Sequence, residues 1–316
     1  MITNFLFAAI KAGTPLLFGT TGEIMTQKSG NINLGVEGMM FMGAFMSFYT
    51  GYYTGNLTLA LLAAFATGVF AALIYAVLTV SLKANQNVTG LTLTIFGTGF
   101  AKFFGEMMIS KSGGSPKLPD GLITSMAERP LPLLGHIPVI GKLLFSHNPI
   151  VYLAVLVAIL CTVYMSKTRA GLNMKAVGEN AAAADAAGIN VIRVKYIHTL
   201  LGGGICALGG AYLSLINGGG IWNNSSVVNG QGWISVALVI FASWNPAKAV
   251  FGSLVFGAFS VLQFYVPKNI IVIPNAFYMM LPFLITTLVL IVTSMRKSRE
   301  GSQPAGCGIN YFREER

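Results

Sequence analysis

The chain has 316 residues, of which 54% are hydrophobic and only 9% are charged, and its mean hydropathy is +0.69. Soluble domains carry roughly a quarter charged residues, so this composition excludes a soluble globular fold and indicates an integral membrane protein. The formal net charge of +10 comes largely from lysines and arginines in short loops between apolar runs. This distribution argues against a nucleic acid as partner, and we expect membrane lipid to surround the apolar runs.

Long apolar runs without alternation favour helices over a membrane barrel. They predict an all-α polytopic membrane protein, a single transmembrane domain over residues 1–316 with about eight or nine helices. In chain order the predicted spans are Ile2–Thr21, Leu34–Tyr53, Leu57–Leu82, Val88–Ile109, Pro149–Ser166, Tyr196–Ile216, Trp233–Trp244, Val250–Val266 and Phe277–Ser294. The first has an alternative, an interfacial piece followed by a helix from about Ala12, because Lys11 is costly at mid-bilayer.

The distribution of basic residues predicts the orientation. Trp233–Trp244 is short enough to be re-entrant, but if it crosses, most lysines and arginines fall on one side of the membrane. By the positive-inside rule that side is cytoplasmic, which places the N-terminus outside and the C-terminus inside. Residues 110–148, rich in proline and glycine, are then an extracytoplasmic extended loop; residues 167–195 form a cytoplasmic loop, and residues 295–316 form a cytoplasmic tail.

Motifs for catalysis are missing from the sequence. It contains no HExxH, GxSxG or P-loop pattern, and its three histidines are scattered. The three cysteines, two in apolar spans and one in the tail, do not form a disulfide framework. We therefore expect no catalytic residues, no metal, no cofactor and no ATPase site in this chain.

Polar residues at membrane depth are candidates for a translocation path. The candidates are Asn31, Asn33, Glu37, Asn223, Asn224 and Gln231. An alternative interpretation of Asn31, Asn33 and Glu37 is a capped helix start near the cytoplasmic surface. The alternative for Asn223, Asn224 and Gln231 is an ordinary exterior loop. Lys102 and Glu106 are four residues apart on one predicted helix, so they share a face and can pair.

The cytoplasmic loop contains a short predicted helix, Ala181–Ala187, capped by Asn180 and ended by Gly188. Its surface is alanine apart from Asp185. Such a smooth face fits a groove on another protein, although an ordinary surface helix explains the pattern equally well.

Four segments of this chain resemble the permease subunits of ABC importers for branched-chain amino acids, simple sugars and nucleosides. SGNINLGVEGMM is similar to the family's early Gly-x-x-Asn-x-Gly-x-Glu-Gly motif, and GLNMKAVGENAAAADAAGI to its coupling loop. GQGWISVALVIFASWNP and the ending YFREER resemble the nucleoside-type branch. The polar patch Trp222–Ser226 departs from the common pattern.

The resemblance implies a transport subunit without its own ATPase. Its partners would be cytoplasmic ATP-binding cassette ATPases, a second paralogous permease and an extracytoplasmic solute-binding lipoprotein, in a bacterial cytoplasmic membrane. The coupling residues carried over by motif are Gly171, Ala176, Gly178, Glu179, Asn180, Ala187 and Gly188. Nucleosides are the first expected solute. Riboflavin and simple sugars are alternatives, as are an ion-driven secondary transporter and a membrane enzyme.

Overall fold

The computed structural model describes residues 2–130, 140–224, 227–265, 275–295 and 301–313. Every regular segment there is helical, apart from one isolated β-bridge between Lys117 and Ile221, which confirms the all-α prediction. The helices are α1 (Ile2–Lys28), α2 (Val36–Thr54), α3 (Leu57–Ala76), α4 (Gln86–Ser112), α5 (Asp120–Ser125), α6 (Ile140–Leu144), α7 (Pro149–Lys167), α8 (Arg169–Glu179), α9 (Ala181–Ala186), α10 (Val191–Tyr212), α11 (Gln231–Phe241), α12 (Pro246–Leu262) and α13 (Asn275–Met295). Single π-helical turns extend α3 to Ser81 and α10 to Asn217.

Asparagine begins many of these helices. Its side-chain oxygen accepts a hydrogen bond from a backbone amide of the first turn, which satisfies a donor that the helix itself leaves unpaired. The capping residues of α3, α4, α7, α9, α10 and α12 are Asn56, Asn85, Asn148, Asn180, Asn190 and Asn245. Local sequence therefore sets where these helices start.

Four described helices are long and apolar enough to cross a membrane: α1, α3 and α10 with the π-helical turns of the latter two, and α7. Shorter apolar helices occur in α11, α12 and α13. The helices α2 and α4 have 19 and 27 residues but contain charged side chains. These lengths and compositions fit the expected multi-pass architecture.

The helix ends gather at two opposite ends of the bundle. We call the first the tail end, because residues 301–313 pack there against the α1–α2, α3–α4 and α8–α9 connections. The second, the far end, contains α5, α6 and the start of α1. Tyr265, just after α12, reaches the far end, where its hydroxyl donates to the Asn4 carbonyl at 3.0 Å.

The first helix is continuous from Ile2 to Lys28, so the alternative of a helix starting near Ala12 is wrong. The charge of Lys11 is paired. Its amine lies 2.5 Å from a carboxylate oxygen of Glu128, and both side chains are partly exposed at the far end. An ion pair explains how this helix accommodates a lysine that hydropathy alone disfavours.

The prediction of an extended loop at 110–148 is partly wrong. The helix α4 runs on to Ser112, and the loop contains the short helices α5 and α6. The amide of Leu118 donates to the Gly220 carbonyl at 2.8 Å, which ties this loop to the segment after α10. Residues 131–139 of the predicted loop lie outside the described residues.

Close backbone contact holds the centre of the bundle together, where α10 packs against α1, α2 and α3. A Cβ added to Gly210 would lie 1.8 Å from the Met40 carbonyl oxygen, and one added to Gly203 would lie 2.5 Å from the Ala72 Cβ. Only glycine fits at such distances. The small residues of α10 are therefore explained by tight helix packing, as in other membrane bundles.

The short span predicted at Trp233–Trp244 is α11, a helix of 11 residues and about 16 Å. The chain leaves α10 at the far end, where Trp222 donates its amide to the Pro116 carbonyl, and it starts α12 from Asn245 at the tail end. Trp222 and Asn245 therefore lie at opposite ends of the bundle, and the described residues between them include α11.

Candidate functional site

The carboxylate of Glu37, in the first turn of α2, lies against the N-terminus of α11. Its Oε1 accepts a hydrogen bond from the Gly230 amide at 2.8 Å, and its Oε2 accepts one from the Gly232 amide at 2.6 Å. A helix N-terminus carries a partial positive charge and unpaired amides, so a carboxylate is its natural partner. A Cβ on Gly232 would lie 2.4 Å from the Glu37 Cα, so this close approach requires glycine.

This contact fixes where α11 begins. Trp222 packs on the rings of Phe45 and Phe48, at centroid distances of 5.6 and 5.4 Å. Those positions on α2 are about 12 to 16 Å from Glu37 along the helix axis. Trp222 and the start of α11 therefore lie at different levels along α2.

A buried polar cluster lies beside this junction. The Glu23 Oε1 accepts hydrogen bonds from the Gln27 side-chain amide at 2.8 Å and the Asn33 backbone amide at 3.1 Å. The Trp244 indole donates to the Gln27 Oε1 at 2.6 Å. These bonds tie α1, the α1–α2 connection and the end of α11 together at the tail end.

The predicted path residues occupy different environments. Asn31 and Asn33 are buried in this cluster, where the Asn31 side-chain amide donates to the Thr199 hydroxyl at 2.9 Å. The Gln231 Oε1 is buried and has no hydrogen-bond partner among the described residues. Asn223 and Asn224 lie some distance away, nearer the far end.

Asn224 contacts α4. Its side-chain amide donates to the Lys102 carbonyl at 2.9 Å and to the Glu106 Oε1 at 2.8 Å, and its oxygen accepts from the Trp222 indole at 3.3 Å. The ion pairs found in the described chain do not include Lys102 with Glu106. The expected pairing of these two residues is therefore wrong, and the Glu106 carboxylate instead accepts a hydrogen bond from the asparagine amide.

The predicted coupling loop folds into two helices, α8 and α9. The predicted cap of α9 is confirmed: the Asn180 Oδ1 accepts from the Ala183 amide at 2.9 Å, and Gly188 has a φ of +83° after the helix. The sequence analysis missed α8, which Thr168 caps through the Gly171 amide at 3.0 Å.

The predicted coupling residues divide into packing and surface positions. A Cβ on Gly171 would lie 2.2 Å from the Tyr164 carbonyl, and one on Gly178 would lie 2.3 Å from the Lys28 carbonyl. These glycines hold α8 against the ends of α7 and α1. Ala176 is half-buried, whereas Glu179, Asn180, Ala187 and Gly188 are exposed.

The alanine surface of α9 has two faces. Ala184 is buried against Val177 and Val191, so it anchors the helix to the rest of the chain. The exposed alanines are Ala182, Ala183, Ala186 and Ala187. A partner could reach only this second set.

Residues 301–313, which we call the tail segment, cross the same surface. The Gly306 amide donates to the Gly178 carbonyl at 2.9 Å, and the Ala305 amide donates to the Glu179 carboxylate at 3.2 Å. The Tyr311 hydroxyl donates to the Asp185 carboxylate at 2.7 Å. The tail segment therefore binds both helices of the loop.

Asn310 extends these contacts to α4. Its side-chain amide donates to the Lys83 carbonyl at 2.6 Å and the Ala84 carbonyl at 3.3 Å, and its oxygen accepts from the Gln86 side chain at 3.2 Å. A cavity of about 510 Å³, lined in part by Lys83 and Phe312, lies beside α9. The loop, the tail segment and the α3–α4 connection thus form one surface.

The titratable groups on this surface are affected by burial. Burial raises the pKa of the Cys307 thiol to about 11, so it is not a reactive thiolate at neutral pH. Burial also lowers the pKa of Lys83. The described residues contain no group of three or more His, Cys, Asp or Glu side chains that could hold a metal ion.

Comparison with known proteins assigns the chain to a family. The family model for the permease component of the branched-chain amino acid transport system matches residues 4–290. The chain belongs to this family. Its members are transport components, and the apolar helices agree with a multi-pass membrane transporter.

Three relatives illustrate the range of this similarity. The chain is 34% identical to the nucleoside ABC transporter permease protein NupC of Lactococcus lactis, covering 96% of this chain and 94% of the relative. It is 32% identical to the guanosine ABC transporter permease protein NupQ of Bacillus subtilis, covering 98% and 96%. It is 36% identical to TsgC13 of Haloferax volcanii, whose name assigns it provisionally to glucose transport, covering 82% and 77%. No solved structure matches the chain.

We predict that Glu37→Gln destabilises the protein by roughly 3 kcal/mol, because an amide nitrogen would face a backbone N–H that now donates to a carboxylate. The measurement is the thermal unfolding midpoint of the purified protein in detergent. Glu128→Gln, which removes an exposed partner of Lys11, is the matched control and should cost less than about 1 kcal/mol. Equal shifts in the two variants would contradict the role of Glu37.

We predict that Asn310→Ala loosens the tail segment, because three hydrogen bonds to the α3–α4 connection and Gln86 are lost at once. Amide hydrogen exchange in residues 305–313 should accelerate about tenfold or more. The control is Ile309→Ala, since that side chain is 63% exposed. Unchanged exchange in the Asn310 variant would show that the segment is held by other contacts.

Proposed function

We propose that this chain is one half of the translocation path of an ATP-driven importer for nucleosides, in a bacterial cytoplasmic membrane. The observation that supports this most is the similarity to two nucleoside permeases over nearly the full length of all three chains. Glucose is the second candidate solute, favoured by the higher identity to TsgC13 over a smaller part of the chain.

The basic charge of the tail end supports a cytoplasmic location for it. Described basic residues at this end include Lys28, Lys83, Lys167, Arg169, Lys175, Arg193, Lys195, Lys248 and Arg313. Described basic residues at or near the far end are fewer: Lys11, Lys111, Lys117, Arg129 and Lys142. The positive-inside rule then places the C-terminus in the cytoplasm and the start of α1 outside.

The surface formed by α8, α9 and the tail segment is the proposed docking site for a cytoplasmic ATP-binding cassette ATPase. The exposed alanines of α9 offer a flat face, and α8 is packed by glycines directly onto α1 and α7. A displacement of α9 would therefore be transmitted to the spanning helices, because close-packed contacts transmit displacement. A second permease and an extracytoplasmic solute-binding lipoprotein complete the proposed assembly.

Within the spanning bundle, the proposed path residues are Asn31, Asn33, Glu37, Asn223, Asn224 and Gln231. Asn224 is half-buried beside α4, where it bonds Lys102 and Glu106, so a solute that bound there would compete for these contacts. The buried members would act by holding α11 and the α1–α2 connection in place, so that movement of α11 opens or closes the path.

The solute is tested by reconstitution of the co-purified complex in vesicles. We expect an ATPase and a second permease to co-purify, and we expect ATP-dependent uptake of labelled guanosine that excess glucose does not inhibit. Uptake of glucose in preference to guanosine would favour the sugar importer. Uptake that persists without any ATPase would indicate a secondary transporter, and conversion of guanosine to a product would indicate an enzyme.

The docking site is tested by Ala186→Trp, which adds a large side chain to the exposed face of α9. We expect recovery of the ATPase with the complex to fall at least tenfold, while the amount of membrane-inserted protein stays unchanged. Ala247→Trp is the matched control, because Ala247 is an exposed alanine at the same end of the bundle but in α12. Normal ATPase recovery with the α9 variant would refute docking at this face.

A further inference from the structure

The helix α4 exposes charged side chains within a spanning bundle. Lys102 and Glu106 are both exposed, and Lys102 lies ten residues, about 15 Å, from the end of the helix at Ser112. Charges at such depth are costly against acyl chains and usually face a polar cavity or another protein. This face of α4 is therefore a poor lipid-contact surface.

Gly99 lies on the same face of α4, with free space where a side chain would be. A Cβ on Gly97 would lie 2.5 Å from the Gly38 carbonyl oxygen, and one on Gly105 would lie 2.3 Å from the Asn224 side-chain oxygen, so packing explains both. A Cβ on Gly99 would meet nothing within 4 Å. Glycine at an exposed mid-helix position costs about 1 kcal/mol relative to alanine, and no contact within the described chain accounts for it here.

Aromatic and polar side chains surround Gly99. Helical spacing places Phe96 and Phe103, three residues before it and four after it, on its face, and Glu106 one further turn along. Phe96 is 49% exposed and Phe103 is 65% exposed. The two phenylalanines are about 10 Å apart along the axis, which leaves room for a planar ring above the glycine. We call this depression the Gly99 notch.

The polar side of the Gly99 notch is held in position by other parts of the chain. Glu106 accepts the Asn224 amide at 2.8 Å, and Asn224 is itself held by the Trp222 indole. Trp222 is buried between Phe45 and Phe48, so this support is rigid. The carboxylate is exposed and keeps acceptor capacity beyond the single hydrogen bond from Asn224.

We propose that the Gly99 notch is this chain's half of a solute-binding site, and that it takes an aromatic heterocycle with a hydroxylated substituent, such as a nucleoside. The base would lie over Gly99 between the exposed phenylalanines, as aromatic rings favour stacked or edge contacts. Glu106 would accept hydrogen bonds from ribose hydroxyls, and the Lys102 ammonium would donate to ring acceptors. This inference rests on the proposed function, since the second permease would supply the opposite wall.

The test is a size series at Gly99 in the reconstituted complex with its ATPase and second permease. Gly99→Ala should keep guanosine uptake near wild type, whereas Gly99→Trp should raise the KM for guanosine at least tenfold by filling the notch. Recovery of the second permease should be unchanged in both. Gly121→Trp is the matched control, because a Cβ there also meets nothing within 4 Å, but Gly121 lies in α5.

Three results would overturn the inference. A wild-type KM in Gly99→Trp would show that the solute does not use this face. Loss of the second permease in that variant would show that the glycine serves close helix packing between the two chains instead. Absence of guanosine uptake by the wild-type complex would overturn the proposed function, and with it the identity of the solute at the notch.

A second readout does not depend on transport. In the Gly99→Cys variant the new thiol should react with a charged, membrane-impermeant methanethiosulfonate, and guanosine should slow the reaction at least fivefold. Phe70→Cys, at a residue on α3 that is 57% exposed, is the control and should stay unmodified. The native cysteines add little background, because Cys161 and Cys206 are buried and the Cys307 pKa is about 11. No reaction at position 99, or a reaction that guanosine leaves unchanged, would contradict the inference.

Discussion

The contact between the Glu37 carboxylate and the N-terminus of α11 is the constraint on which the bundle depends most. A helix that starts inside a membrane leaves backbone amides unpaired where water is scarce, and each would cost several kcal/mol. Here a neighbouring helix supplies a charged acceptor for two of them, at 2.6 and 2.8 Å. That single side chain holds the start of α11 on α2, while Trp222 and Asn224, earlier in the chain, pack beside α4.

The tail end depends on a different kind of interaction. Its helices are short, and α9 has six residues, too few to be stable alone in water. It is stable in this chain because Ala184 packs inward, Asn180 caps its start, and Tyr311 binds Asp185 from outside. The surface that faces the cytoplasm in the proposed orientation is therefore assembled from residues far apart in sequence.

Hydropathy and capping rules predicted the helices well, because apolar length and asparagine caps are local signals. The α9 cap at Asn180 and the separate short helix α11 could be read directly from the sequence. Local signals could not predict that Glu37 pairs with α11, that Glu106 binds Asn224 instead of Lys102, or that Ala184 faces inward. Each of these depends on which helix is the neighbour. The partner of Lys11 could not be predicted for the same reason, since Glu128 is more than a hundred residues away.

The position of the tail segment has a consequence for biosynthesis. Residues 305–311 contribute bonds to Gly178, Glu179 and Asp185, which are synthesised more than a hundred residues earlier. The apolar helices can insert one after another, but the surface at the tail end stays incomplete until the tail segment has been synthesised. A product that ends before residue 305 would therefore insert in the membrane without a finished surface at the tail end.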